Sequence, residues 1–185
     1  MGLAILILGV ALWAIPHLFK RLAPAPRARM GDTARGVVTA TTVASIIAMV
    51  VGYKMADIVP LYFPAPWLSH VNNLLVLIAF YIFAIPMARG ALSQKYRHPM
   101  LTGFALWAVA HLLVRGDLAS VIMFGGLALW AVVSILMINA QVPTWSPKPA
   151  KGGTKRDLVA IPIVLVTYLI VGLVHGWIGP SPFGA

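Results

Sequence analysis

Histidine is the side chain of this sequence best suited to chemistry in an apolar environment. The segment RHPMLTGFALWAVAHLLVRGD, residues 97–117, places His98 and His111 on one short apolar helix. The other three histidines also lie in or at the edge of apolar segments: His17, His70 and His175. Ionisable side chains at membrane depth are costly and usually face a cavity, a ligand or a bundle interior. Because neutral imidazole is a good ligand for iron and other transition metals, we expect any chemistry to depend on histidine.

The composition indicates an integral membrane protein and removes several classes of chemistry. Of the 185 residues, 61% are hydrophobic, and the mean hydropathy is +0.92, as in membrane-embedded chains. The lack of cysteine excludes disulfides, thiolate–metal sites and thiol redox chemistry. The net charge of +10 could indicate nucleic acid binding. The basic residues, however, fall in short loops between apolar segments, which favours a positive-inside membrane topology and no nucleic acid partner.

Six apolar segments are predicted to cross the membrane within one transmembrane domain over residues 1–185. A crossing needs about 20 mostly apolar residues, and the segments comprise residues 3–19, 36–56, 67–87, 99–114, 118–139 and 158–178. A single segment satisfies its own backbone hydrogen bonds in a bilayer only as a helix, so the predicted fold is an all-α polytopic membrane helix bundle. No basic residues precede the first segment, which is therefore predicted to be a retained helix and not a cleavable signal.

The distribution of basic residues predicts the orientation. Twelve of the 14 lysines and arginines follow the first, third and fifth segments: Lys20, Arg21, Arg27, Arg29, Arg35, Arg89, Lys95, Arg97, Lys148, Lys151, Lys155 and Arg156. The remaining two, Lys54 and Arg115, lie in the other connections. Positively charged loops stay in the cytoplasm, so both termini are predicted on the non-cytoplasmic side.

Two local features complete the predicted organisation. Between the fourth and fifth segments, Gly116 followed by Asp117 indicates a helix end and an N-cap in a tight hairpin. We identify no internal repeat in the sequence, which argues against a secondary transporter built from inverted repeats.

The predicted topology places the histidines in two layers. His17 and His98 lie near the cytoplasmic ends of their segments, whereas His70, His111 and His175 lie towards the other side. Thirteen residues of helix correspond to about 20 Å and to a net rotation of about 140°, so His98 and His111 are not expected to bind one metal together. Matching depths favour His17 with His98, or His111 with His70 or His175, as two ligands of one haem.

Each histidine also has a structural interpretation. His70, His175 and His17 lie near an interface, where an imidazole can simply face headgroups or water. His98 immediately precedes a proline and can cap a helix. His111 is the most deeply embedded of the five, which makes it the strongest candidate for a functional role.

Three stretches of sequence carry a family resemblance. They are LWAIPHLFKR at the end of the first apolar helix, RHPMLTGFALWAVAHLLVRGDLAS, and the following GGLALWA. Over nearly the whole chain, this pattern resembles the NnrU family of bacterial membrane proteins, which is associated with nitrite and nitric oxide reduction in denitrifying bacteria. It is also similar to the plant and cyanobacterial 15-cis-ζ-carotene isomerase, a membrane protein with b-type haem that isomerises a cis double bond in a polyene.

The resemblance assigns roles to three histidines. His17 matches the histidine ending the family's first helix, His98 that of the HP pair, and His111 the one after LWA. In the isomerase the equivalents of His17 and His111 are the proposed haem ligands, a pair that the depth prediction places in different layers; a helix kinked or shifted at Pro16 would reconcile the two. The isomerase also has a cysteine three residues before the second ligand that is implicated in a redox ligand switch. Here that position is Ala108, so the thiol part of that mechanism cannot operate.

The resemblance implies an inner-membrane protein of NnrU type that binds haem b through two of His17, His98 and His111 and acts in nitrite or nitric oxide metabolism. A haem-dependent cis–trans isomerase of a carotenoid or other polyene is one alternative. A non-enzymatic accessory or assembly subunit, bound to a membrane complex through helix faces rich in small residues, is another. The expected partners are the lipid bilayer and either a membrane protein complex or an apolar small molecule.

Overall fold

The computed structural model describes residues 1–183, and most of these residues are helical. Seven helices follow one another among them: α1 Gly2–Leu22, α2 Pro24–Arg29, α3 Thr33–Met55, α4 Leu68–Ala88, α5 Pro99–Leu112, α6 Leu118–Gln141 and α7 Thr154–Ile178. A 3₁₀ turn, Ala91–Gln94, follows α4, and α6 contains a π-helical turn over Val121–Gly125. No β-strand is present within residues 1–183, so the predicted all-α fold is confirmed.

Five helices of residues 1–183 are long and apolar enough to cross a membrane: α1, α3, α4, α6 and α7. They contain 21 to 25 residues and therefore rise about 32–38 Å, against a hydrocarbon core of about 30 Å. The predicted fourth segment, residues 99–114, forms the shorter helix α5 of 14 residues, which rises about 21 Å. Helix α5 ends early because the N–H groups of Leu113 and Val114 bond to carbonyls only three residues back.

Many large aliphatic side chains of the spanning helices are exposed. Ile47 on α3 is 58% exposed, and Ile163 and Leu173 on α7 are 62% and 59% exposed. In water such surfaces are unfavourable, at about 25 cal/mol per Å² of apolar area, whereas lipid tails solvate them. The exposed apolar helices therefore agree with the predicted membrane protein.

The chain divides into two compact units. Unit 1 contains Met1–Pro64 and Arg115–Gln141, and unit 2 contains Ala65–Val114 and the chain from Val142 onward. Unit 1 thus holds α1, α2, α3 and α6, and unit 2 holds α4, α5 and α7. His17 belongs to unit 1, and the other four histidines belong to unit 2.

Close backbone contact joins α1 and α3 in unit 1. A Cβ atom added to Gly52 would overlap the backbone nitrogen of Leu6, and one on Gly9 would lie 2.7 Å from the backbone nitrogen of Met49. Small residues allow membrane helices to approach in this way. Leu6 is fully buried at the contact. The close packing of α1 and α3 therefore depends on glycine, which has no side chain, at positions 9 and 52.

A hairpin closes one end of unit 1. The N–H groups of Leu61 and Tyr62 both donate to the carbonyl of Gly116, at 2.7 and 3.1 Å. Asp117 then caps α6, because its Oδ1 accepts the N–H of Ser120 at 2.9 Å, and Tyr53 on α3 bonds to the same serine hydroxyl at 2.8 Å. The N-cap predicted at Asp117 is therefore confirmed. The hairpin of unit 1 pairs the loop around Leu61 with the loop around Gly116, and it is not the predicted hairpin between the fourth and fifth segments.

A buried carboxylate joins α7 to the 3₁₀ turn that follows α4 in unit 2. Asp157, in the first turn of α7, is 4% exposed, and its Oδ2 accepts the N–H of Leu92 at 3.1 Å. Tyr81 on α4 donates its hydroxyl to the backbone carbonyl of Asp157 at 3.1 Å. Gly90 leaves room for the carboxylate, which a Cβ atom there would overlap. The end of α4 and the start of α7 therefore meet at the same end of unit 2.

The segment from residue 142 to residue 153 lies along this end of unit 2. Arg89 donates from Nη2 to the carbonyl of Pro149 at 2.8 Å, and its own carbonyl accepts the N–H of Lys151 at 2.9 Å. Arg97 donates to the carbonyl of Val142. The basic loops that follow α4 and α6 thus contact each other, as expected for two loops that share one side of a membrane.

Candidate functional site

His17 lies on α1 with its imidazole fixed by two tryptophans. Its Nδ1 is 2.6 Å from the carbonyl oxygen of Trp13, one turn earlier on the same helix. The imidazole also stacks on the Trp13 indole, with ring centroids 4.6 Å apart and an angle of 23° between the planes. From α6, Trp130 approaches edge-on, 5.4 Å from the His17 ring and 5.5 Å from the Trp13 ring. His17 is half-buried in this aromatic surround.

The hydrogen bond to Trp13 determines where the imidazole proton resides. A carbonyl oxygen only accepts hydrogen bonds, so Nδ1 of His17 must carry the proton. In the neutral ring the lone pair then lies on Nε2, the form in which histidine binds a metal. Metal-binding histidines usually donate their second N–H to a carboxylate, a backbone carbonyl or water, which fixes the ring orientation and raises its basicity as a ligand. The local structure of α1 therefore supplies a tautomer that can bind a metal through Nε2.

His111 has the same arrangement on α5 of unit 2. Its Nδ1 is 2.8 Å from the carbonyl oxygen of Trp107, and its ring centroid lies 4.8 Å from that of Trp107 at an angle of 54°. Trp107 also contacts Phe104, at 5.3 Å between ring centroids. Ala108, the position at which the isomerase has its cysteine, is fully buried. Nδ1 of His111 carries the proton for the same reason as in His17, and its lone pair lies on Nε2.

These two arrangements belong to a short repeated sequence. The copies are LWAIPH at residues 12–17, LWAVAH at 106–111 and LWAVVS at 129–134. In the third copy Ser134 replaces histidine, and its hydroxyl donates to the carbonyl of Trp130 at 2.8 Å. The prediction that the chain lacks an internal repeat is therefore wrong at this scale. The spacing of Trp and His, four residues apart after Leu, is visible in the sequence and would have identified the arrangement.

Helix geometry explains why this spacing recurs. Residues four apart lie on one face of an α-helix, and helical side chains lean towards the N-terminus. The sixth residue of each copy therefore leans over the carbonyl and the indole of its tryptophan. The side chain is held by its own helix, before any neighbouring helix contributes.

The other three histidines differ from these two. His98 occupies the N-cap position of α5 without a side-chain capping hydrogen bond, at the opposite end of that helix from His111. His70 is exposed in the first turn of α4. His175, in the last turn of α7, places Nδ1 2.8 Å from the carbonyl of Pro180. None of these three follows a tryptophan by four residues.

The described histidines stand singly and do not form a cluster of metal ligands. Within residues 1–183 no group of three or more histidine, cysteine, aspartate or glutamate side chains could hold a metal ion. The porphyrin of a haem supplies four ligands itself, so the protein contributes only axial ligands, for which single histidines suffice. His17 and His111 offer the tautomer needed, among aromatic and aliphatic neighbours.

Comparison with known proteins gives one match. A family model described as NnrU protein matches residues 5–182, which covers nearly the whole chain and includes all five histidines. No curated protein and no solved structure matches the chain.

Proposed function

The chain belongs to the NnrU protein family. We propose that it is a bacterial inner-membrane protein that binds haem b, with His17 and His111 as the first candidate ligands and His98 as the alternative, and that it serves nitrite or nitric oxide metabolism. One observation supports the haem assignment: in both histidines, Nδ1 forms a hydrogen bond to the carbonyl oxygen of a tryptophan one turn earlier. The distance is 2.6 Å for His17 and 2.8 Å for His111. The denitrification role is inferred from the family alone.

The chain's own residues prepare the two imidazoles as ligands. The carbonyl of Trp13 holds the proton of His17 at Nδ1, and the carbonyl of Trp107 does the same for His111, so that Nε2 is the ligating atom in both. The adjacent indoles limit rotation of each ring. A bound haem held by two histidines would supply an iron centre suited to electron transfer.

We propose in addition that both termini lie on the non-cytoplasmic side and that α5 is a sixth, shallower crossing. Helix directions within unit 1 support alternation, because Gly2 at the start of α1 contacts Met55 at the end of α3, and Gln141 at the end of α6 donates to the carbonyl of Arg21 at the end of α1. The three connections on the proposed cytoplasmic side carry most of the basic residues. Accessibility labelling of a single cysteine introduced at exposed Lys151 and, separately, at exposed Asp57 would place the two sides; labelling of both from the same face would contradict this topology.

The haem assignment is tested by visible spectroscopy of the purified full-length protein. A Soret band, with α and β bands that sharpen on dithionite reduction, would identify a low-spin b-type haem. His17→Ala and His111→Ala are each expected to lower haem content at least fivefold, because an iron that loses an axial imidazole is held far less tightly. The matched controls His70→Ala and His175→Ala should keep full content, and His98→Ala tests the alternative ligand.

Two results would overturn this assignment. A featureless spectrum of protein from haem-replete cells would remove haem as the cofactor. Full haem content in either His17→Ala or His111→Ala would remove that residue as a ligand, and loss in His98→Ala would transfer the role to His98.

A further inference from the structure

A basic cavity lies in unit 2, where α4 ends and α5 begins. It measures about 270 Å³, and three of its lining side chains are cationic: Arg89, Arg97 and Lys148. Ser93, Tyr96 and Trp145 also line it. None of these residues takes part in the arrangement around His17 or His111, so the cavity needs a separate explanation.

Backbone contacts hold the cationic residues around the cavity. Arg89 follows the end of α4 with a left-handed backbone (φ 52°), and its Nη2 donates to the carbonyl of Pro149 at 2.8 Å. Arg97 donates to the carbonyl of Val142. Gln94 donates to the backbone carbonyl of Lys148 at 2.8 Å, which fixes that part of the loop. Arg89 and Arg97 are therefore held by backbone carbonyls, and the backbone of Lys148 is held by the side chain of Gln94, so no carboxylate is needed to bring the three cations together.

The three cations of the cavity form no ion pair among residues 1–183. Within residues 1–183 the one lysine or arginine that forms an ion pair is Arg35, with Asp32. The carboxylate of Asp157, at the same end of unit 2, accepts a backbone N–H instead. In addition, Nε of Arg89 is buried and lacks an acceptor among the described residues. Three cations in a concave site create a local potential that favours an anion.

An apolar groove at the same end of α4 indicates what kind of anion the cavity favours. It runs between α4 and α7, measures about 400 Å³ and is lined mainly by Ala84, Met87, Val159, Ala160 and Ile163, with Lys155 and Arg156 at one end. Ala88 lines the groove, and the next residue, Arg89, lines the cavity. A phosphate with an attached acyl chain meets both features, whereas a free phosphate meets only the cavity. Tyr96 and Trp145 are also of the types enriched at membrane interfaces.

We propose that the cavity binds the phosphate of an anionic phospholipid, with one acyl chain along the groove between α4 and α7. Basic pockets between membrane helices bind anionic headgroups in this way, and guanidinium groups form charge-assisted hydrogen bonds to phosphate oxygens. The site lies outside the haem assignment and does not depend on it.

The test uses full-length protein in a neutral detergent, examined by native mass spectrometry. Phosphatidylglycerol is titrated against phosphatidylcholine with identical acyl chains, and the fraction of protein that retains one lipid is measured. We expect selective retention of phosphatidylglycerol and an affinity about tenfold lower in Lys148→Gln, because one charge-assisted contact is removed. Arg97→Gln is a second variant with the same expected direction. Lys151→Gln is the matched control, since Lys151 is exposed in the same loop and does not line the cavity.

Three results would overturn the proposal. Equal retention of phosphatidylcholine would show that charge does not select the ligand. Equal losses in Lys148→Gln and Lys151→Gln would show that the loop acts only through its total charge. Displacement of the lipid by inorganic phosphate at millimolar concentration would assign the cavity to a free anion. Because the histidines are untouched, the Soret band serves as a separate readout, and loss of lipid selectivity with an unchanged spectrum leaves the haem assignment intact.

Discussion

The two units hold equivalent histidines in frameworks that are stabilised differently. In unit 1, α1 and α3 pack closely because Gly52 and Gly9 have no side chains to keep the two backbones apart. In unit 2, polar groups of Asp157 join α7 to α4 and to the turn that follows it: its backbone carbonyl accepts the Tyr81 hydroxyl, and its buried carboxylate accepts the N–H of Leu92. The imidazoles of His17 and His111 nevertheless take the same tautomer, because each is fixed by its own helix. The comparison teaches that the ligand geometry is encoded locally, whereas the support around it can be built from either packing or polar contacts.

The comparison predicts that unit 1 is the more sensitive to added volume. Gly52→Val should lower the free energy of unfolding by about 3 kcal/mol, because its Cβ would overlap the backbone of Leu6 and the helices would have to separate. Gly36→Val, on the same helix, is the control, since nothing lies within 4 Å of a Cβ at Gly36. Denaturant titration in detergent micelles measures the free energy of unfolding of both variants. Similar values for the two would contradict the inference that α1 and α3 require glycine at position 52.

Unit 2 is predicted to be the more sensitive to loss of a polar group. Asp157→Ala should cost about 2 kcal/mol, because the N–H of Leu92 would stay buried without its acceptor. Asp32→Ala removes a carboxylate that is almost fully exposed and pairs only with Arg35, and its effect should be small. An equal effect of the two substitutions on the unfolding midpoint would show that the buried carboxylate does not join α7 to the turn that follows α4.

The hairpin of unit 1 gives the smallest predicted effect and the only one that depends on pH. Tyr62 donates its hydroxyl to the carbonyl of Arg115 at 2.8 Å, and burial, followed by the charge of Asp117, raises the pKa of Tyr62 above its usual value of 10.0. The raised pKa favours the neutral phenol in the folded state. Its stabilising contribution is therefore complete below pH 10 and is lost as the pH rises through the raised pKa.

Tyr62→Phe removes this hydrogen bond and should cost about 0.5–1 kcal/mol near neutral pH, at the low end because the side chain is partly exposed. The difference in thermal midpoint between the native protein and the variant should stay constant up to pH 10 and shrink as the pH is raised from 10 to 12. A constant difference over that range would exclude a role for the Tyr62 proton in closing the hairpin.

The sequence predicted the features that depend on residues close to one another in the chain. Apolar segments of sufficient length gave five helices of spanning length, and the Gly116–Asp117 pair gave a helix end and a cap. The length of α5 was overestimated because hydropathy continues to Val114, whereas the helical backbone ends at Leu112. Hydropathy indicates whether a segment lies in lipid or in water. It does not indicate where the last hydrogen bond within a helix forms, so it could not locate the end of α5.

The candidate site was predicted only in part. His17 and His111 were named from the family resemblance, but their hydrogen bonds to Trp13 and Trp107 were missed, although both follow from a spacing of four residues on a helix. A comparison of histidines across segments predicts their depths, whereas the hydrogen bond of each imidazole depends on the helical turn before it. The sequence gives no comparable clue to the basic cavity, because loop contacts between residues about 50 positions apart bring its cations together.

The π-helical turn in α6 sets the rotational phase of that helix. Such a turn accommodates one extra residue, and each residue turns an α-helix by about 100°. Before the turn, Asp117 and Ser120 face the hairpin; after it, Trp130 faces the ring of His17. A helix one residue shorter at Val121–Gly125 would keep the cap and rotate Trp130 away from α1. The extra residue therefore lets α6 contact Tyr53 through Ser120 and His17 through Trp130. In a regular α-helix, Ser120 and Trp130 would point in directions that do not suit both contacts.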